Sequence, residues 1–268
     1  MIDIYNYLKT HALNWLKESG YTEYPIRGLW EIKLTFRPDL DERMFNFNVI
    51  LVQTVGQGCS YCDSPFRNAN ENIVGTDSIK ILNQRNCLSI ATLDSIYSSM
   101  PRFPVKTYQF EGNSKDKAQY RAKIILDEAE LLLRNIRGNK PKVVNVGAVG
   151  LLIKGLKERD YLTYATDFDQ TLIGQTMHGV TIESGTLSPK YVKECDLAII
   201  TGMTLSTNTL EEIIDVARES GTKLLIFAET GAYFGEAYCE LGVDTVVSEP
   251  FPFYIFEGVS KIEIYRKK

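Results

Sequence analysis

The pattern of apolar and polar positions changes about halfway along the chain. Ile4, Tyr7, Leu8, Leu13, Trp15 and Leu16 recur near helical spacing before Gly20, which predicts a helix over 4–18. Ile32, Leu34 and Phe36 alternate with polar residues up to Pro38. Phe45, Phe47, Val49, Leu51 and Val52 carry the alternation on to Gly56, so both stretches predict strands. Residues 59–78 are rich in Gly, Ser, Asn, Pro and Asp without a period and read as a long loop. A helix over 86–100 follows, closed by Pro101 and Pro104. Residues 101–114 read as a connector. Ser114 then caps a long helix, 115–136, that ends at Gly138 and Pro141.

Beyond it, KVVNVG, YLTYAT, LAIITG, KLLIFA and DTVVS are short and almost wholly apolar. Helical patterns separate several of them, notably 208–219 and 231–241. Strands apolar on both faces, alternating with helices, predict a mostly parallel sheet covered on both sides. The expected architecture is a smaller α+β domain, residues 1–112, followed by a Rossmann-like α/β domain, 113–268, with the long helix as bridge. The tail KIEIYRKK reads as a last edge strand.

The 268 residues allow one large domain or two modest ones. Lys plus Arg is 30 and Asp plus Glu is 34, a net charge of -4 that excludes a nucleic-acid partner held by bulk charge. No apolar run approaches the roughly 20 residues that span a bilayer, and MIDIYNYLKTHALNW is too polar for a signal peptide. Five cysteines without a secretion signal point to a reduced cytoplasm. The expected partner is therefore a small molecule, with neither nucleic acid nor membrane; homo-oligomerisation stays open.

In open α/β sheets, ligands bind beyond the carboxyl ends of the strands, where strand order reverses. After the first such strand comes Asn145-Val-Gly147-Ala-Val-Gly150, a turn that could bring backbone N–H groups to an anion at a helix start. Asp167, 20 residues past Gly147, stands where a ribose-binding acid would be. The bland alternative is a tight strand–helix turn with a solvated acid. Thr201-Gly-Met-Thr-Leu-Ser-Thr-Asn-Thr209 places five hydroxyls and an amide directly after a strand. Thr209 and Glu212 have capping-box spacing, but the remaining hydroxyls exceed what a cap needs and make Thr201, Thr204 and Asn208 ligand-facing candidates. Glu229, after the next strand, would face the same cleft as a base, a metal ligand or merely a loop acid. The aromatic, proline-rich segment 248–254 would be a pocket wall or a packing surface.

Residues 115–262 resemble DUF364, a Rossmann-like domain family associated with heavy-metal chelation. DLAIITGMTLSTNTLEEII carries the likeness, through Thr201, Gly202, Thr204, Asn208 and Thr209, with VGAVG before it and GVDTVVSEP after. In that family a domain similar to the enolase N-terminal domain commonly precedes, and Leu88–Tyr97 looks like its closing helix, with Asp94 at an Asn-like place. The resemblance implies a pocket between the two domains and a role in handling metals or metal-binding small molecules. Two departures bear on the ligand. Gly150-Leu151 lacks the proline common after the glycine turn, and Ala228-Glu229-Thr230 puts a carboxylate where the family often has Gly-Pro-Ser.

Cys59 and Cys62 form a CxxC that could chelate a transition metal ion, although a structural zinc site wants four ligands and no second CxxC exists. Two buried thiols in a loop are the alternative. His178, the only histidine of the second half, is a candidate for acid–base work with Glu229 or for metal ligation. Three functions follow as expectations. One is binding, or transforming, a small polar or metal-chelating molecule between the domains. The second is a metal-independent reaction on a nucleotide-like or amino-acid-like substrate, with Gly147, Gly150 and the Thr201–Thr209 loop binding its anion. The third is a non-catalytic binding module.

Overall fold

The computed structural model describes residues 3–37, 44–62, 73–136 and 139–268. Helix α1, Ile4–Glu18, is capped by Asp3, which accepts the Asn6 N–H, and buries Ile4, Leu8, Ala12 and Leu16 along one face. Strands β1 (Gly28–Phe36), β2 (Phe45–Gln53) and β3 (Gln57–Cys62) form an antiparallel sheet in the order β1-β2-β3. Helices α2 (Ser78–Leu82) and α3 (Cys87–Tyr97) follow, the second opened by a capping box between Asn86 and Ser89.

The rest builds one nine-stranded sheet. Its elements are β4 (Lys106–Phe110), α4 (Ser114–Leu133), β5 (Lys142–Val146), α5 (Gly150–Glu158), β6 (Leu162–Asp167), β7 (Thr176–Met177), β8 (Val180–Ser184), α6 (Ser188–Glu194) and β9 (Leu197–Thr201), then α7 (Met203–Ser206), α8 (Leu210–Ser220), β10 (Lys223–Ala228), α9 (Gly235–Glu240), β11 (Thr245–Ser248) and β12 (Ser260–Arg266). Strand order is β4-β12-β11-β10-β9-β5-β6-β8-β7. The six from β11 to β8 run parallel; β4, β12 and β7 pair antiparallel. This is the mostly parallel α/β sheet that the apolar runs predict. Order reverses between β5 and β9, so the crevice belongs beyond their carboxyl ends.

One face of the large sheet packs with α1, α3, α8 and α9 in a single cluster that includes Leu8, Ile96, Ile200, Ile213 and Ile226. The other face packs on α4 and α5 through Ile125, Ala129, Leu152 and Ile199. The first helix of the chain thus shares its core with the large sheet.

Several expectations are corrected. Residues 101–114 hold β4, which pairs with β12. The tail strand β12 is consequently internal, between β4 and β11, and β4 takes the edge. The loop expected from residue 59 starts later, because Cys59–Cys62 end β3; residues 63–72 lie outside the described residues. Asn113, not Ser114, caps the long helix, by accepting the Asp116 N–H. The helix expected over 208–219 begins at Leu210 without a side-chain cap, so Thr209 and Glu212 form no capping box.

Candidate functional site

Cys59 and Cys62 lie three apart on a strand, so their side chains leave opposite faces of β3. Cys62 faces α3 and is disulfide-bonded to Cys87, while Cys59 is a free, buried thiol among Val49, Leu51, Phe253 and Tyr254. The chelating pair is therefore corrected: strand geometry separates the two sulfurs, and one of them is already bonded. The five cysteines divide into one bridge and three free thiols, Cys59, Cys195 and Cys239, instead of five reduced ones.

The free edge of β3 is stitched to the loop that follows β10. Gly231 N–H donates to Cys59 O at 3.3 Å, and Tyr61 N–H to Thr230 Oγ1 at 3.0 Å. Asp94, fully buried on α3, accepts Cys59 N–H on Oδ2 and Tyr233 N–H on Oδ1, both at 2.9 Å. One carboxylate thus bridges the small sheet and the turn that follows β10. Burial pushes its pKa up to about 7, against the two N–H donors and Arg102. The strand approaches α3 this closely because residue 58 is glycine; a Cβ there would stand 2.0 Å from Ser95 N.

Beside the stitched seam lies a narrow cleft of about 40 Å³. Leu34, Phe36, Phe47 and Val49 of the small sheet form one wall, and Phe253, Tyr254 and Ile255 another. The aromatic segment after β11 is thus a cleft wall. Cys59, Met203, Glu229 and Thr230 close the polar end. The crevice expected to be polar is apolar over most of its lining.

Glu229 is held by Arg121 of α4, which also reaches Glu249 at 3.4 Å and stacks on the Tyr254 ring at 4.1 Å. The Glu229 side chain keeps 34% exposure; that of Glu249 keeps 3%. Burial raises the Glu249 pKa; Arg121 opposes this and Glu229 adds to it. Burial works against the charge on Arg121 too, but Glu229, Tyr254 and Glu249 outweigh it and keep the guanidinium protonated. Burial also pushes the Cys59 thiol well up, helped by Asp94 and Glu229, so it is a poor nucleophile and a poor metal ligand.

The other candidates have local partners. Gly147 has φ +82°, and a Cβ there would meet Thr201 Cγ2 at 2.7 Å, so these two residues do meet at the switch point. The turn spends its donors internally: Gly147 N–H on Thr166 O, Ala148 N–H on Asp167 Oδ2 and Val149 N–H on Asn145 Oδ1. Asp167 therefore organises the turn. The hydroxyl surplus has the same explanation. Thr204 Oγ1 donates to Thr201 O; Ser206 and Thr207 turn back on Met203 O; Thr209 Oγ1 points to Thr204 O at 3.4 Å. Asn208 takes a left-handed φ of +57°, which closes that loop. Gly202 donates its N–H to Phe227 O and packs so close to the next loop that a Cβ would lie 2.5 Å from Thr230 O. His178 is exposed beside Gly150 and does not line the cleft, so the acid–base pair with Glu229 is not assembled.

The structure thus joins Gly147, Thr201, Gly202, Glu229 and Cys59 around one crevice and leaves His178 and Cys62 outside it. Sequence reasoning missed Arg121, Glu249 and the strand residues Phe36 and Phe47. No local signal marks Arg121, an ordinary cation on a helix. Among the described residues no group of three His, Cys, Asp or Glu side chains is placed to hold a metal ion. With Cys62 bonded and Cys59 buried, the residues here do not fit a resident metal.

Fold and crevice define a class: a Rossmann-like α/β protein whose cleft is closed by a small antiparallel sheet. Residues 131–248 match the family DUF364, described as "Putative heavy-metal chelation". Two solved structures of DUF364 proteins of unknown function superpose over the full length. The one from Pyrococcus horikoshii is 12% identical, with a TM-score of 0.61, and 98% of this chain covers 99% of that one. The one from Desulfitobacterium hafniense DCB-2 is 12% identical, with a TM-score of 0.60 and the same coverage. No curated protein matches the chain. Among the described residues no helix is long and apolar enough to cross a membrane.

Proposed function

We propose that the protein binds a small organic molecule at the narrow cleft between its two sheets. The apolar body of the molecule lies against Leu34, Phe36 and Phe47, and its polar head meets Glu229 and Thr230. The observation that carries this is Glu229: a part-exposed carboxylate, fixed by a buried arginine, at the one polar end of an otherwise apolar cleft. Thr230 accepts the Tyr61 N–H and keeps its own proton to donate. With Glu229 and Glu249 against one Arg121, this end favours a head that donates hydrogen bonds or carries positive charge.

A metal enters this reading as cargo. A metal-chelating organic molecule would suit both the cleft and the family's description, with the ion held by the molecule and not by a side-chain cage. Binding without turnover is the simplest form of this function, because the thiol in the cleft is suppressed and the histidine lies elsewhere.

Native mass spectrometry and elemental analysis of the protein as purified test the proposal. The expected result is an organic adduct that is lost in Glu229→Gln and in Phe47→Ala. An adduct retained by both variants, or a metal ion retained without any organic molecule, would overturn it.

A further inference from the structure

A second cavity, of about 270 Å³, lies apart from the cleft, on the far side of the Asp94 bridge. Four aromatic side chains reach it from four elements: Trp15 of α1, Tyr97 of α3, Tyr233 of the turn before α9, and Tyr265 of β12. Glu236 and Glu240 complete it from α9. They are four residues apart and so stand on the same helix face, an arrangement in which like charges repel.

Among the described residues each carboxylate has one protein donor. Glu236 Oε1 accepts the Phe103 N–H at 2.7 Å, and Glu240 Oε2 accepts the Tyr7 hydroxyl at 2.5 Å. Among the described residues neither has a cation within ion-pairing distance. The one permanent cation in the lining, Arg102, is committed elsewhere. Its Nη1 donates to Ser98 O, its Nε faces Glu263 at 3.5 Å, and its guanidinium lies 4.7 Å over the Tyr233 ring. The Tyr97 hydroxyl lies between His11 Nδ1 at 2.9 Å and Leu8 O at 3.2 Å.

Aromatic faces and two unbalanced carboxylates select one chemistry. We infer that this cavity is a binding site for a small organic cation, a protonated amine on an apolar or aromatic body. The ammonium sits between Glu236 and Glu240, and the body stacks among Trp15, Tyr97 and Tyr233. Cation–π attraction and the acid pair act on the same charge, so a neutral molecule of the same shape loses both.

Trp15 reports on the cavity directly. The chain has two tryptophans, and in a Trp30→Phe background Trp15 is the only tryptophan, excited selectively over the tyrosines at the red edge of its absorption. The full chain is titrated at pH 7 with phenethylamine, 2-phenylethanol and phenylacetate, and with Mg²⁺ alone. Phenethylamine is expected to give a saturable change, 2-phenylethanol to bind about tenfold or more weakly, and phenylacetate to give none. Glu236→Gln, which keeps an acceptor for Phe103 N–H and so preserves the local fold, is expected to weaken the amine about tenfold, and Glu240→Gln less, from its exposed place at the mouth. Glu229→Gln, in the other cleft, leaves amine binding unchanged. Equal affinity for amine and alcohol, amine binding unaltered in Glu236→Gln, displacement of the amine by Mg²⁺, or no saturable change with any probe would each overturn the assignment.

Discussion

Replacing Asp94 by asparagine separates its two tasks, bonding and charge. The carboxylate accepts one N–H from β3 and one from the turn before α9, and it is fully buried. An amide keeps one acceptor and turns an NH2 toward the other N–H, which costs about 1–3 kcal/mol at any pH. The charge has the opposite effect. Burial raises the folded pKa from 3.8 to about 7, so the folded state binds the proton more tightly than the unfolded chain does. That contribution is complete below about pH 4 and is lost as pH rises through 7. The raised pKa is worth about 4 kcal/mol in all, of which about 2–3 kcal/mol is lost between pH 5 and 8. Asparagine has no such dependence. Asp94→Asn is therefore clearly less stable than the native chain at pH 5, and the gap narrows by about 2–3 kcal/mol at pH 8. Urea unfolding of both proteins at pH 5, 6, 7 and 8 reads this as converging midpoints at constant slope. Glu249 also titrates with a raised pKa, but it does so in both proteins and cancels in the difference. A gap that stays constant across the series would refute the reasoning.

Two further perturbations test the seam. Arg121→Met leaves Glu229 and buried Glu249 without their cation and should cost about 3–5 kcal/mol; adding Glu249→Gln should recover much of it, as thermal melts would show. Cys62→Ser removes a bridge across 25 residues and should cost about 3 kcal/mol in chemical denaturation, while Cys59→Ser leaves the bridge in place and costs less.

The alternation of Phe45 to Val52 and the apolar runs from KVVNVG onward carried the strands and the parallel sheet, because burial on one face or on two imposes a period on a strand wherever it sits. The glycine at 147 was legible for a similar reason: a left-handed φ needs that residue whatever surrounds it. The segment after LAIIT was correctly placed beside the crevice, yet its hydroxyls were misread, since composition does not reveal that they turn back onto carbonyls of their own loop. The CxxC was misread because its spacing means one thing in a loop and another on a strand, where residues three apart face opposite ways.

The chain's own order of residues thus determines the elements, the parallel sheet and the loops that border its crevice, all consequences of local periodicity. Which charges meet there is a tertiary matter. Arg121 lies 108 residues from Glu229 and 128 from Glu249, and Asp94 lies 139 from Tyr233. No local pattern encodes such pairings. They exist because the small sheet, α4 and the strand ends pack against one another, and burial then gives each charge a partner or a shifted pKa.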